Sequence, residues 1–187
     1  DLKDTKQIAS YEDRIFLDKL EGAYEVDDNS LFYVYSGNIY ILERQVNQIF
    51  RLTGNGKSFG EKKEWLAPGI EADFSKVMDM TIDGSIWLLS STGKVTKFTN
   101  GNPTSITMEG IVSPLINPTA IYTNENLKHV YILEKDGGRV VVLEKSGKFK
   151  MQYISDQIKN STDLVVSEKE GKVILLTGSK LLSIEIK

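Results

Sequence analysis

The chain has 187 residues, 40% of them hydrophobic and 26% charged, which suits a single domain with a sizeable core. A formal net charge of −3, with Lys and Arg scattered along the chain, supplies no basic field for a phosphate backbone, so nucleic acid is not an expected partner. Cysteine is absent, which excludes disulfides and thiolate metal sites but leaves the compartment open, cytoplasmic or extracytoplasmic.

Two strand-like pieces come first, at 5–10 and 14–20, within an N-terminal region 1–28. After them one apolar pattern recurs: Ile39-Tyr40-Ile41-Leu42, Ile86-Trp87-Leu88-Leu89, Val130-Tyr131-Ile132-Leu133 and Val173-Ile174-Leu175-Leu176. The starts are separated by 47, 44 and 43 residues, a spacing regular enough to define a repeat. Each copy is preceded by a strand, at 31–35, 77–82, 120–123 and 163–166, and followed by another, at 48–52, 94–98, 139–143 and 180–184. The turns between the second and third strands read Ser91-Thr92-Gly93, Asp136-Gly137-Gly138 and Thr177-Gly178-Ser179, whose glycines supply the positive φ of tight hairpins. The first copy has a longer polar turn at 44–47. A fourth, more polar strand closes the first three copies, at 61–66, 104–108 and 149–154.

Four antiparallel strands per unit, apolar in the middle and polar at the last, are the pattern of β-propeller blades, because blades stacked face to face cover their middle strands on both sides. The expected fold is therefore all-β, a β-propeller with blades at 29–70, 74–111 and 117–158 and an incomplete one at 161–187. A solenoid would need shorter or helical units, and no helical apolar period runs over ten residues. Two readings of the ring stay open. Strands from 1–28 complete the last blade of a small closed four-bladed ring, or the chain is the C-terminal part of a larger, six-bladed propeller. Asp1 in place of a methionine favours a processed piece of a longer protein, and an incomplete ring would self-associate. No apolar run approaches the roughly 20 residues of a membrane span.

The stretch Asp79-Met80-Thr81-Ile82-Asp83-Gly84-Ser85-Ile86-Trp87-Leu88-Leu89, followed by Gly93-Lys94-Val95-Thr96-Lys97-Phe98, resembles the repeat of NHL-type propellers, and the likeness extends more loosely over 29–187. His129-Val130-Tyr131-Ile132-Leu133 with Arg139-Val140-Val141-Val142-Leu143 is the next best match. The resemblance implies that Tyr40, Trp87 and Tyr131 pack between blades. The family's Asn-Arg pair in the second hairpin turn is approached only by Gly138-Arg139. NHL-like propellers include protein-binding modules, RNA-binding modules, sensor ectodomains and some metal-dependent enzymes, so the resemblance implies fold more than function. The resemblance extends to repeats appended to bacterial membrane-anchored proteins, which makes a bacterial source an expectation.

Catalytic motifs are sparse. His129 is the one histidine and has neither a cysteine nor a Gly-x-Ser-x-Gly elbow to work with, so a structural role is expected. Gly56-Lys57-Ser58 lacks the first glycine of a phosphate loop, since Arg51 stands there, and Gly54-Asn55-Gly56 reads as a turn. Ser91-Thr92-Gly93-Lys94 has Ser-x-x-Lys spacing on a turn rather than a helix, and Asn160-Ser161-Thr162 is a sequon that matters only on a secreted eukaryotic chain. No motif calls for a cofactor.

The loops that enter the blades share one mouth with the hairpin turns, and this face holds the candidate binding residues: Asp27, Asp28, Arg44, Glu71, Asp73, Lys94, Asp136, Arg139 and Asp163. Their mixed charge suits a protein, a peptide or a small ligand, so a non-catalytic interaction or sensory module is the leading expectation. The rival is a propeller-type metal-dependent hydrolase or lyase, with calcium as the cation that loop carboxylates would hold. The third reading is a structural or oligomerisation domain of a larger, membrane-anchored protein.

Overall fold

In a computed structural model, the structure describes residues 6–9, 14–17, 24–56 and 58–186. Two N-terminal strands, β1 (Lys6–Ala9) and β2 (Arg14–Leu17), pair with each other. Blade 1 holds β3 (Leu31–Tyr35), β4 (Asn38–Glu43), β5 (Gln48–Thr53) and β6 (Lys63–Glu64). Blade 2 holds β7 (Val77–Ile82), β8 (Ile86–Ser90), β9 (Val95–Thr99) and β10 (Asn102–Ile106). Blade 3 holds β11 (Ala120–Tyr122), β12 (His129–Glu134), β13 (Arg139–Glu144) and β14 (Phe149–Ile154). Blade 4 holds β15 (Ser161–Ser167), β16 (Lys172–Thr177) and β17 (Lys180–Glu185). Each sheet is antiparallel in chain order, so a blade is a meander. β3, β7, β11 and β15 are the inner strands, each beside the next.

The register carries the repeat into space. Leu42, Leu89, Leu133 and Leu176 each oppose an inner-strand residue on one side, and Ile49, Val95, Val140 and Leu181 on the other. Because side chains alternate across a strand, each blade turns one set of residues back to its predecessor and another forward to its successor. Three apolar clusters result. Tyr40 and Leu42 of blade 1 meet Met80, Ile82 and Leu88 of blade 2. Trp87, Leu89 and Val95 of blade 2 meet Ile121, Val130 and Ile132 of blade 3. Tyr131, Leu133 and Val140 of blade 3 meet Leu164, Val166 and Val173 of blade 4. Tyr40, Trp87 and Tyr131 are thus core residues between blades, as the repeat implied.

Four local features depart from the sequence reading. β6 is two residues long because Trp65 and Leu66 leave the sheet to pack on the blade 1–blade 2 cluster, with Trp65 edge-on to Tyr40 at 6.0 Å. β10 begins at Asn102, directly after a two-residue Asn100-Gly101 turn with both φ positive, the geometry that favours tight hairpins. β15 begins at Ser161, straight after a 3-10 helix, Asp156–Asn160, capped by the Ser155 hydroxyl, which accepts from the Gln157 amide. Finally, β1 and β2 form a sheet of their own, so among the described residues no N-terminal strand completes blade 4, whose edge is β17. Residues 5, 10 and 18–20 of the two N-terminal pieces lie outside the described residues, as does Lys57 of the turn at 54–59.

Candidate functional site

The entering loops and the hairpin turns do share one end of the blades, and backbone hydrogen bonds tie them together. Asp27 accepts from the Gln45 amide (2.9 Å), and Asn47 accepts from the Phe74 amide (2.8 Å). Arg44 donates to the Val77 carbonyl through Nε (3.1 Å) and Nη2 (2.8 Å). The Ser91 amide donates to the Lys76 carbonyl, and the Ser155 amide to that of Gly138. Several charges expected to meet a ligand therefore brace the loops instead.

Arg139 is the clearest case. It is buried, with Nε on the Glu134 carboxylate and Nη2 donating to the carbonyls of Ser113 (3.1 Å) and Pro114 (3.0 Å). Glu134 is buried as well and also accepts from the Ile116 amide. The expectation that Arg139 is a surface binding residue is corrected: a fork-shaped guanidinium with five donors satisfies a buried carboxylate and two loop carbonyls at once. Asp73 accepts from the Ser75 amide (2.9 Å), and hydrogen bonds from Ser75 hold its carboxyl below the ordinary range. Asp163 accepts from the Leu164 amide (2.7 Å). Asp28, Glu71, Lys94 and Asp136 are exposed.

Glu71, Asp73 and Lys94 come together at a groove of about 520 Å³ on the blade 2 rim. Its floor is the back-facing surface of β8, β9 and β10, where Leu88, Phe98 and Pro103 are apolar and Thr96 and Ser105 polar. One wall is the segment 71–76, pinned by the Phe74 ring against Phe98 (5.9 Å between centroids) and by the Phe74 amide on Asn47. The hairpin turn closes the far end with Ser90, Thr92 and Lys94, and Lys76 joins from the wall. The groove thus offers hydroxyls and exposed charges of both signs over an apolar floor in which Leu88 and Phe98 are themselves core residues and Pro103 is exposed.

Carboxylates elsewhere work within the fold. Asp79 sits on the inner strand β7 at a register shift, accepting from the Met80 (2.7 Å) and Ile121 (2.8 Å) amides. Burial pushes its carboxyl up to about 6 against those hydrogen bonds, with the Asp163 charge adding to the rise. At the opposite end of the blades Asp83 accepts from Trp87 Nε1 (2.8 Å) and pairs with Lys145 (2.7 Å). Glu168 gathers the Lys128 amide (2.8 Å), His129 Nδ1 (2.7 Å) and the Tyr131 hydroxyl (3.1 Å). Burial raises the Glu168 carboxyl, but these donors outweigh it and hold the group below its ordinary value. His129 is consequently a strut between blades 3 and 4, as its lack of a nucleophile suggested. Among the described residues, no three His, Cys, Asp or Glu side chains gather as a metal site, and no helix is long and apolar enough to cross a membrane.

The groove was only half legible. Its charges were marked by their place in entering loops and turns, whereas its floor joins β8 and β9, which the sequence assigned to covered blade packing, to β10, which it read as the more polar outer strand.

No family model and no curated protein matches this chain. Solved structures do. A chain of a nidogen/laminin complex superimposes with a TM-score of 0.60 at 13% identity, over 80% of this chain and 56% of that one. Virginiamycin B lyase from Staphylococcus aureus gives 0.53 at 18% identity, over 83% and 54%. The computationally designed Ika4 protein gives 0.54 at 15% identity, over 90% and 96%. This chain therefore spans little more than half of the nidogen and lyase chains. At such identities the likeness establishes architecture alone, and with the meander sheets and shared inner strands it shows that this chain folds as four blades of a β-propeller.

Proposed function

We propose that this chain is a non-catalytic binding module whose ligand is a peptide segment of a protein partner, laid in the blade 2 groove. The observation that carries this reading is the contrast in how charges are used. Arg44, Arg139, Asp83 and Glu168 are engaged in bracing the fold, whereas Glu71 and Lys94 flank an apolar floor from exposed positions. A few placed polar groups around an apolar surface are what recognition of a short segment requires. The likeness to a chain solved in complex with laminin fits protein recognition, and we place the repeat with NHL-type propellers on the stretch 79–98.

A displayed peptide library is the direct test. Selected peptides are expected to carry an aromatic or aliphatic anchor beside charged residues, and Lys94→Glu is expected to weaken them about tenfold, the value of one charge-assisted contact. Since Lys94 is exposed, the same variant should leave unfolding free energy within about 0.5 kcal/mol. Peptides that bind equally well to Lys94→Glu and Glu71→Lys would place recognition elsewhere.

A further inference from the structure

The repeat makes it possible to ask what each position does in a blade that has a neighbour and in one that lacks it. Phe32 of β3 occupies the back-facing place held by Met80, Ile121 and Leu164 in the other inner strands. Those three are at most 4% exposed against a preceding blade, and Phe32 is 74% exposed. Val34, one step along the same face, is exposed where Ile82, Thr123 and Val166 are buried. Ile41 and Leu52 on that face are buried, so the bare area centres on the inner strand.

Blade 4 shows the converse on its forward side. Leu181 takes the place of Ile49, Val95 and Val140, which are at most 1% exposed, and is itself 71% exposed. Leu176 and Val165 lie exposed beside it, where Leu42, Leu89 and Leu133 are buried in the other blades. The turn glycines follow suit. A Cβ on Gly93 would stand 2.9 Å from the Leu115 carbonyl of blade 3, and one on Gly138 would stand 3.1 Å from that of Ser155, whereas one on Gly178 would meet nothing within 4 Å. Among the described residues no apolar cluster joins blade 4 to blade 1, and β15 does not pack beside β3 as the other inner strands pack in succession.

We infer that the bare face of blade 1 and the bare face of blade 4 are seats for each other across two copies of this chain, which close head to tail into an eight-bladed ring. The two faces have opposite polarity, one made for a preceding blade and one for a following blade, so a second copy supplies both in the correct sense. Each junction repeats the inner-strand part of the three filled interfaces, where Phe32 and Val34 stand open, while Ile41 and Leu52 are already covered within the chain. Two identical arcs closing on a twofold axis make two such junctions and leave no face over, and eight blades lie within the range that propellers adopt. Exposed apolar surface at both ends is the driving force.

Light scattering of the 187-residue chain tests the inference. The expected mass is twice 21.0 kDa, and Phe32→Asp and Leu181→Asp should each weaken dimerisation at least about 100-fold, because a carboxylate cannot enter an apolar seat unpaired. Both residues are exposed, so circular dichroism should show each monomer folded. An equal mixture of the two variants should recover a heterodimer, since one of its junctions pairs two unaltered faces. A monomer up to about 100 µM, far above the dissociation constant of a specific dimer, would overturn the inference. So would a dimer indifferent to Leu181→Asp, which would mean that blade 1 faces meet each other, or an open series of larger assemblies.

Discussion

The interface between blades 3 and 4 and the forward face of blade 4 are built from the same positions of one repeat, yet only the first is covered. Leu133 and Leu176 are the same residue at the same place in the second strand, the one wholly buried and the other exposed. The repeat therefore encodes adhesion at each position, and the neighbour decides whether that adhesion becomes stability. Stability in such an array is approximately a sum over repeats and their junctions, which makes matched substitutions a direct probe.

The largest contrast is expected at the first residue of the third strand. Arg139→Ala should cost about 4 kcal/mol, because it leaves the Glu134 carboxylate buried without its partner and frees two loop carbonyls. Lys180 stands at the same place in blade 4 but is exposed, and Lys180→Ala should stay within about 0.5 kcal/mol. Urea unfolding of both variants checks the pair, and equal costs would break the comparison.

Next comes the leucine pair. Leu133→Ala should cost about 3 kcal/mol through lost transfer energy and a cavity, and Leu176→Ala less than about 1 kcal/mol at a dilution where the chain is monomeric. If Leu176→Ala grows more costly as concentration rises, the bare face is being covered in solution.

A smaller and pH-dependent contrast concerns the inner-strand acids. Asp79 titrates near 6 in the fold, above its ordinary 3.8, so the unfolded chain releases this proton first. Stability from this group is full below about pH 4 and falls as pH rises to about 6, by up to about 3 kcal/mol, then levels off. Asp79→Asn should flatten that fall. Asp163→Asn should reduce it, because removing the like charge lowers the Asp79 value. Glu168 has the opposite sign: its carboxyl is held low, so its contribution is lost as pH falls through and below its ordinary 4.5. Denaturation across pH 4.5 to 7, taken as the difference between the unaltered chain and Asp79→Asn, isolates Asp79, and superimposable profiles would show that its environment is wetter than the fold implies.

Much of the blade could be read directly. The strands 39–42, 86–89, 130–133 and 173–176 are continuous apolar runs because both faces are covered, and such runs survive as sequence patterns. The departures lie where tertiary contacts compete with the strand. Trp65 leaves β6 for the ring of Tyr40, and the chain after Ser155 turns into a 3-10 helix that seats Ile158 in the blade 3–blade 4 cluster. The candidate site was legible by charge and not by role. Asp27, Arg44 and Arg139 are turn and loop residues like Glu71 and Lys94, and nothing local distinguishes a carboxylate or guanidinium that meets a carbonyl from one that meets solvent.

The sequence by itself determined that four hairpin-bearing units follow one another and that the aromatics of their second strands are interior. Those features are local or periodic, and a period is visible in one dimension. Tertiary structure decided which faces have a neighbour, which charges brace the loops and where a groove remains. These depend on the angle at which one blade meets the next, and that angle is set jointly by residues some 40 positions apart, such as Thr81, whose hydroxyl donates to the Thr123 carbonyl at 2.7 Å. Phe32 and Met80 are equally apolar in the sequence, and only the presence of a preceding blade separates a core residue from an open seat.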